Sequence, residues 1–429
     1  MSNSQLGRAV DFYDPTFGQE GVVSLPIEGV PDSSSAQAIA YLPDDSLLVV
    51  SSWNQSIKLI KLKKDGSLDL SFASRGFAEV PLDRIGSVFV NRLSVTYDQK
   101  SIVSGFNSDG GVSLVRQLPT GVADASFGPA GDGQVAYVIS DLVDVNIHPN
   151  AKLCVDHVHK SADGESTNYS GSAFTVESAA DGKIICSVGI MMGENDFVTI
   201  VIRLLDDGSL DKTFNSKGFL SVEFPGLINN LNSRALMQPD GKVVVSFRSE
   251  DFRAYIARYN ENGTIDYDYG GQGTGLVSFP EWEYSEVASI ATKGDGGIAV
   301  LGDLYDGSMR AMITSFTPEG KYQLDFNDGL PVFLVPERGY GSAKPLALQR
   351  DGRLVVGTLD SLADKYVSNI ARYNSDGSID ETFCEVGYIS LNDVPGFGLY
   401  SSLALTTDGR VTYLVKDLRA SDSIVRILA

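Results

Sequence analysis

The chain has 429 residues, of which 43% are hydrophobic and 21% charged, a composition that fits a globular protein with ample core. Its net charge of −21 comes without a cluster of Lys and Arg, which phosphate binding requires. We therefore exclude nucleic acids and anionic lipid surfaces as partners.

Cysteine usage and apolar patterning indicate the location of the protein. Three widely spaced cysteines (Cys154, Cys186 and Cys384) form no CxxC pair, which fits a reducing compartment. Residues 1–8 lack the apolar stretch of a signal peptide, and no run of about 18 apolar residues is present to span a membrane. We expect a cytoplasmic protein, unless a route without a cleavable signal exports it.

In chain order, the first predicted element is a short strand at residues 21–26, Gly-Val-Val-Ser-Leu-Pro. It follows Asp14-Pro-Thr-Phe17, the first copy of a motif in which an Asp precedes an aromatic residue by three positions. The aromatic residue recurs at 17, 72, 127, 214, 269, 326 and 383, in steps of 55, 55, 87, 55, 57 and 57 residues. Gln323 replaces the Asp in the sixth copy. This regular spacing indicates a chain built from repeats.

Each repeat also contains turn signals between short apolar runs, and an Asp-Gly turn in such a setting predicts a β-hairpin. The first turn begins at Asp181, Asp240, Asp295, Asp351 and Asp408, with weaker copies at Asp44 and Asp98. A second turn follows about 20 residues later, at Asp65, Asp207, Asn262 and Asp376. The strand before it carries Arg116, Arg203, Arg258, Arg372 or Arg426, with Lys61 and Ser315 in the two deviant copies.

Each repeat thus predicts four short strands, named A to D in chain order, and this number is typical of a β-propeller blade. We predict an all-β fold in which residues 1–429 form a single seven-bladed β-propeller with four-stranded antiparallel blades. The last repeat stops after strand C, whereas the N-terminal strand has no A, B or C strand before it. We expect residues 21–26 to complete the last blade, close the ring and cover a sheet edge.

The combined pattern resembles the bacterial delta-60 repeat family. The residues that carry the resemblance are Gln-Pro-Asp-Gly-Lys, Ala-Arg-Tyr-Asn and Asp-Gly-Ser-x-Asp-x-Thr-Phe, and residues 238–269 and 349–383 match best. The sixth repeat and the first copy of the Asp-Gly turn depart from the pattern. The resemblance implies a propeller-like repeat architecture and no established activity, so it transfers no catalytic residues.

One repeat exceeds the others by about 30 residues, and the excess lies within residues 140–195, in or next to blade three. In one alignment, residues 140–171 are inserted between strand D of blade two and strand A of blade three. In the other, residues 149–152 form the A–B turn and residues near 160–190 form an extra hairpin between strands B and C. Both alignments place the insertion on the same face of the ring.

All three histidines lie in this longer repeat, in the pattern His148-x5-Cys154-x2-His157-x-His159. A transition metal needs such ligands close together, but no carboxylate-rich pattern accompanies them. We treat the four residues as weak metal candidates, expect ordinary turn or surface side chains, and predict no cofactor. The Asp-Gly turns lack the alternating oxygen ligands of a calcium loop, so we interpret them as turn formers.

The recurrent Arg and the Asp of the Asp-x-x-aromatic motif are interpreted as structural. A catalytic site is expected once in the ring, whereas this pair occurs in nearly every repeat. We predict a hydrogen-bonded Arg–Asp pair that holds the C–D turn within each blade.

The A–B and C–D turns share one face of the ring, and the irregular B–C and D–A connections on the other face suggest a binding surface. The candidate binding residues there are Trp53, Trp282, Tyr284, Tyr305, Tyr340 and Tyr400. Nearby polar residues are Asp83, Arg84, Glu194, Asp251, Glu337 and Arg338. Aromatic rings among polar groups suit recognition of a protein or a glycan. The alternative is that several of these rings pack between blades.

The sequence favours a monomeric, non-enzymatic binding or scaffold propeller whose partner is a protein or carbohydrate. It contains no G-x-S-x-G motif, Walker loop or strand-linked G-x-G-x-x-G motif, so we assign no catalytic residues. Two alternatives stay open: a lactonase-like hydrolase with a site at the mouth of the central channel, and a scaffold without a small-molecule site.

Overall fold

The computed structural model describes residues 9–428 with internal gaps. The residues left out are 54–55, 81–87, 108–110, 144–147, 149, 154–157, 161–165, 169–173, 180, 194–195, 228–230, 272, 280–283, 306, 335–339, 362–365, 392–397 and 418–420. Within the described residues, seven antiparallel sheets form the blades of a propeller, which confirms the predicted fold class.

The first four blades follow one another along the chain, each in the order A to D. Blade one consists of Ala36–Tyr41, Leu47–Trp53, Ser56–Leu62 and Phe77–Glu79. Blade two consists of Val88–Val95, Ser101–Asn107, Gly111–Gln117 and Gln134–Val138. Blade three consists of Phe174–Ser178, Ile184–Gly193, Asp196–Leu204 and Phe219–Ser221. Blade four consists of Leu231–Met237, Val243–Arg248, Ala254–Tyr259 and Leu276–Ser278.

The last three blades repeat this order, and the seventh takes its strand D from the N-terminal region. Blade five consists of Tyr284–Thr292, Ile298–Tyr305, Met309–Phe316 and Val332–Phe333. Blade six consists of Tyr340–Leu348, Leu354–Ser361, Tyr366–Tyr373 and Tyr388–Ser390. Blade seven consists of Gly398–Leu405, Val411–Asp417, Ser423–Ile427 and Val22–Ser24.

Helical structure among the described residues is limited to short turns. The α-helical segment is Ile139–Leu142, and the 3-10 segments are Ala9–Phe12, Phe72–Ser74, Tyr269–Gly271, Asn327–Gly329 and Phe383–Glu385. No helix in the described part of the chain has the length and apolar character needed to cross a membrane.

The ring closes through the N-terminal strand, as the sequence predicts. Val22 lies opposite Val425 and Ser24 lies opposite Ser423 in an antiparallel pair. The Arg426 Nε atom also donates to Asp14 Oδ2 at 2.7 Å, so the first Asp-x-x-aromatic motif completes the last blade. The two ends of the described chain are thereby joined in one sheet.

Strands A form the innermost layer of the ring. Each of them contacts the strands A of both neighbouring blades, and these contacts run in a closed cycle around the central axis. Apolar side chains of strands B and C fill the spaces between blades, since successive residues of a strand point to opposite faces. The strands A therefore position side chains in or beside a central channel.

Blade three has an interrupted strand A. Lys152–Leu153 pairs with Met191 and Ile190, and Phe174–Ser178 continues the pairing along the same edge of strand B. A separate hairpin of Val158–Lys160 and Ser166–Asn168 lies between these two pieces in the sequence. The A–B turn of this blade is at residues 181–183, where the Lys183 amide donates to Asp181 Oδ1 at 3.1 Å. The extra chain thus enters blade three within strand A, at the edge that lines the channel.

The recurrent Arg binds the Asp of its own blade, which confirms the predicted pair. In blade three, Arg203 Nε donates to Asp211 Oδ2 at 2.8 Å, and the guanidinium lies 4.6 Å from the Phe214 ring centroid. Its Nη1 atom donates to the Glu261 carbonyl of blade four at 2.6 Å. The same Arg–Asp pair, at 2.7–2.8 Å, joins Arg116 to Asp124, Arg258 to Asp266, Arg372 to Asp380 and Arg426 to Asp14.

The A–B turn binds the same Asp through its basic residue. These contacts, at 2.9–3.2 Å, join Lys100 to Asp124, Lys242 to Asp266, Arg353 to Asp380 and Arg410 to Asp14. In blade five, where Gln323 replaces the Asp, Lys293 donates to both Ser315 and Gln323. The Asp-Gly turns thus have a structural role that links the two turns of a blade.

Candidate channel-mouth site

The two faces of the ring differ in their connections. The A–B and C–D turns lie on one face, here named the turn face. The B–C and D–A connections lie on the other, here named the loop face. Propellers place one layer of strands along a central channel, so groups on the loop-face ends of strands A and B surround the channel mouth.

The structure describes two of the six predicted binding side chains. Tyr284, the first residue of strand A in blade five, is half-buried and lies directly opposite Tyr305 of strand B. Tyr305 is 37% exposed. For Trp53, Tyr340 and Tyr400 the structure describes strand backbone but not side chains, and Trp282 lies outside the described residues. The binding roles of all six remain predictions.

A further aromatic residue, Phe252, joins Tyr284 and Tyr305. It lies in the B–C connection of blade four and is 54% exposed. The Ser285 amide donates to the Phe252 carbonyl at 2.9 Å, which places this connection beside the start of strand A in blade five. Phe252, Tyr284 and Tyr305 are named the aromatic patch.

Charged groups lie directly beside the aromatic patch. Arg248 Nη1 donates to the Tyr284 hydroxyl at 2.8 Å and lies 3.4 Å from Glu286 Oε2. The Tyr284 hydroxyl donates to Glu286 Oε2 at 2.5 Å. Burial and the Glu286 charge raise the pKa of Tyr284, so the phenol remains protonated at neutral pH.

Two more arginines and a glutamate lie on the strands A of blades two to four. Arg92 Nη2 is 3.4 Å from Glu177 Oε1 across blades two and three. Arg234 of blade four donates from Nε to the Ala288 carbonyl at 2.9 Å and from Nη1 to the Ser233 carbonyl at 3.0 Å. Arg92, Glu177, Arg234, Arg248 and Glu286 are named the charged arc.

The protein around the channel shifts the pKa values of two residues of the charged arc, Glu177 and Arg234. Burial raises the pKa of Glu177, although the Arg92 charge acts in the opposite direction. Burial lowers the pKa of Arg234, an effect that Glu286 opposes and Arg92 reinforces. Both side chains are nonetheless only half-buried from water, as expected for groups that line a narrow channel surrounded by protein.

Of the four weak metal candidates, the structure describes the side chain of His148, so a metal site formed by these four residues is not tested. His148 is half-buried in a turn, where its carbonyl accepts from the Ala151 amide at 3.1 Å. Cys154 and His157 lie outside the described residues, and only the backbone of His159 is described. Within the described part of the chain, no group of three or more His, Cys, Asp or Glu side chains is placed to hold a metal ion.

Sequence reasoning did not identify Phe252 or the charged arc. The sequence does contain a signal for Arg92 and Arg234. Each lies six residues before the Asp that begins the A–B turn of its blade, Asp98 for Arg92 and Asp240 for Arg234. The same position holds a small or uncharged residue in the other blades, namely Ala38, Thr175, Ser289, Pro345 and Ser402. A charge at a repeat position that is otherwise uncharged points to a role outside the repeat.

Comparison with protein families supports the repeat architecture. The family described as "Domain of unknown function (DUF5122) beta-propeller" matches residues 42–72, 238–269 and 349–383. Each segment spans part of a blade, and together they cover less than half of the chain. The match supports a propeller repeat family. Among curated proteins, no sequence matches the chain significantly.

Solved structures share the fold at low sequence identity. Virginiamycin B lyase from Staphylococcus aureus, in a catalytically inactive form with quinupristin, is 12% identical, with a TM-score of 0.50. The similarity covers 95% of this chain and 98% of that one. Prolyl oligopeptidase B from Galerina marginata, bound to a macrocyclization substrate, is 11% identical, with a TM-score of 0.50. It is matched over 92% of this chain and 48% of its own. These similarities show the fold alone.

Proposed function

We propose that the protein is a non-catalytic binding propeller that recognises its partner through the loop face at blades four and five. The observation that carries the proposal is the aromatic patch directly beside Arg248 and Glu286. Such a surface offers ring faces, N–H donors and carboxylate acceptors within one site. These are the groups that fix the orientation of a polar ligand in a binding site.

Of the two partner classes predicted, a glycan or a protein, the described residues favour a glycan. The patch contains three rings at the rim, which suit the C–H faces of a sugar, and the adjacent Arg and Glu suit hydroxyl groups. Arg248 lies 5.3 Å from the Tyr284 ring centroid and holds that ring in place. A rigid ring loses little conformational entropy when a ligand stacks on it.

A glycan array with neutral and acidic oligosaccharides tests this proposal. We expect selective binding that Tyr284→Ala weakens at least about tenfold, since aromatic anchors in binding sites commonly contribute about 2 kcal/mol. Tyr97→Ala is the matched control, because Tyr97 is 84% exposed in the A–B turn of blade two on the turn face. Equal binding by Tyr284→Ala and the unmodified protein would contradict the proposal. Selective binding to a displayed peptide library instead, lost in Tyr284→Ala, would assign the site to a protein partner.

A hydrolase of the lactonase type is the second candidate function, and the position of Glu177 on an innermost strand is the observation that favours it. Burial there raises the pKa of this carboxyl while the Arg92 charge, 3.4 Å away, acts in the opposite direction, and a raised carboxyl pKa is a property of a general acid. Acid release from a panel of lactones in a pH-stat measures the activity directly. Turnover that Glu177→Gln abolishes would establish the hydrolase, and the absence of turnover above the Glu177→Gln background would reject it.

Three further properties belong to the proposal. We infer repeats of the delta-60 type, a monomer and a cytoplasmic location. A single species of about the chain mass of 46.0 kDa in light scattering is expected for the monomer. Alanine substitutions at Trp53, Trp282, Tyr340 and Tyr400 test the remaining predicted binding residues. A residue whose substitution leaves the ligand affinity unchanged does not belong to the binding site.

A further inference from the structure

Arg234 differs from Arg92 and Arg248, the other two arginines of the arc, in having no carboxylate partner within salt-bridge distance among the described residues. Its two hydrogen bonds go to the backbone carbonyls of Ala288 and Ser233, at 2.9 and 3.0 Å. Arg92 faces Glu177 at 3.4 Å, and Arg248 faces Glu286 at the same distance. The remaining N–H groups of the Arg234 guanidinium are therefore available to a ligand.

Arg234 lies where a cation without a carboxylate partner is energetically unfavourable. It lies on the innermost layer of the ring, in contact with strand A of blade five, and it carries the cost of losing water around a cation. The two carbonyl contacts fix the guanidinium, so a bound anion would find it already oriented. Guanidinium and carboxylate groups match in geometry and bind in a bidentate manner.

We propose that Arg234 binds the carboxylate of an acidic sugar, of the uronic acid type, whose ring stacks on the aromatic patch. This inference rests on the proposed function and names the ligand class for the same site. Arg234 Nε donates to the carbonyl of Ala288, two residues after Glu286 on strand A of blade five, and Glu286 accepts a hydrogen bond from the Tyr284 hydroxyl. This strand therefore connects the anion position to the patch. The Glu286 carboxylate suits sugar hydroxyls, which act as donors.

Titration calorimetry with glucuronate and glucose at low ionic strength tests the assignment, because salt screens partly exposed charges. We expect glucuronate to bind at least about tenfold more tightly than glucose, since hydrogen bonds between two charged groups are stronger than those to a neutral hydroxyl. Arg234→Gln is expected to remove this preference and leave the glucose affinity unchanged. Arg234→Lys keeps the positive charge but lacks the two parallel N–H donors of the guanidinium, so it should keep only part of the preference for glucuronate.

Arg253→Gln is the matched control, because Arg253 is a second arginine of blade four and lies in its B–C connection, with 42% of its side chain exposed. It should keep the full preference for glucuronate. Retention of the preference in Arg234→Gln, or equal or undetectable affinity for the two sugars in the unmodified protein, would overturn the inference. The proposed function fails separately if Tyr284→Ala leaves sugar binding intact. Binding of a peptide with a free C-terminal carboxylate, lost in Arg234→Gln, would overturn the sugar assignment and indicate a protein ligand.

Discussion

Arginine has different roles on the turn face and in the channel of this propeller. On the turn face, Arg203 binds Asp211, Thr213 and the Glu261 carbonyl while stacking on an aromatic ring. In the channel, Arg234 lies midway along strand A of blade four, donates to two backbone carbonyls and has no carboxylate within salt-bridge distance among the described residues. The first arrangement recurs around the ring, and the second occurs at a repeat position that is mostly uncharged. An arginine that recurs in the blades with a carboxylate partner indicates a structural role. An arginine at a repeat position that is otherwise uncharged, with N–H groups left for a ligand, indicates a functional role.

The largest effect is expected where the repeated arrangement is broken. Arg203→Met leaves the Asp211 carboxylate, which is 2% exposed, buried without its main partner. Loss of one partner of a buried pair commonly costs about 3–5 kcal/mol of unfolding free energy. Urea denaturation measures the loss. Arg75→Met is the control, because Arg75 is half-exposed and its pair with Glu79 should contribute less than about 1 kcal/mol. Equal losses in the two variants would contradict the structural role of the buried pair.

The second-largest effect is expected from acid, which should lower the free energy of unfolding through the carboxyls of the turn face. Although burial opposes the effect, hydrogen bonds from Ser126, the charge of Arg116 and a hydrogen bond from Lys100 lower the pKa of Asp124 to about 2. A carboxyl with a lowered folded-state pKa stabilises the protein above its unfolded pKa of 3.8. This contribution, about 2 kcal/mol at most, is lost as the pH falls from about 5 to about 2.

The comparison that isolates this effect uses Asp124→Asn. The variant should be less stable at pH 6, and its urea midpoint should change less between pH 5 and pH 3, since it lacks the carboxyl that titrates. Parallel pH profiles for the variant and the unmodified protein would show that Asp124 does not contribute. Asp380, whose pKa is also lowered to about 2, provides a second position for the same experiment.

On the loop face, the effect is expected on binding more than on stability. Tyr284→Phe keeps the ring and removes the hydroxyl that links Arg248 and Glu286. We expect an intermediate loss of ligand affinity, smaller than that of Tyr284→Ala, because stacking is kept while the adjacent charges lose their shared partner. Titration calorimetry with the best array ligand measures the two losses, and a larger loss for Tyr284→Phe would contradict the stacking role.

The smallest effect is expected at exposed apolar side chains on the turn face. Tyr97→Ala should change the unfolding free energy by less than about 0.5 kcal/mol and leave ligand affinity unchanged, because Tyr97 is 84% exposed. A loss of ligand affinity in this variant would show that the turn face also contributes to binding.

The sequence was sufficient for the fold because each blade repeats the same local signals. The Asp-x-x-aromatic spacing, the Asp-Gly turns and the unpaired N-terminal strand predicted seven blades and the closure at Val22–Ser24. The recurrent Arg–Asp pair was also predictable, since both partners lie in one repeat about eight residues apart.

The candidate site was predictable only in part. Tyr284 and Tyr305 lie at strand ends, where turn signals identify the face. The contact between Arg92 and Glu177 joins two neighbouring blades, and the two residues are 85 positions apart in the sequence. Such a pair depends on how neighbouring blades align around the axis, and a repeat pattern does not fix that alignment.

The affinity of the best array ligand for Tyr284→Ala, measured beside Tyr97→Ala, tests the central claim most directly. The claim predicts a loss of about tenfold or more for Tyr284→Ala and an unchanged affinity for Tyr97→Ala. Unchanged affinity for Tyr284→Ala, with both variants folded, would contradict a binding site at the loop face of blades four and five.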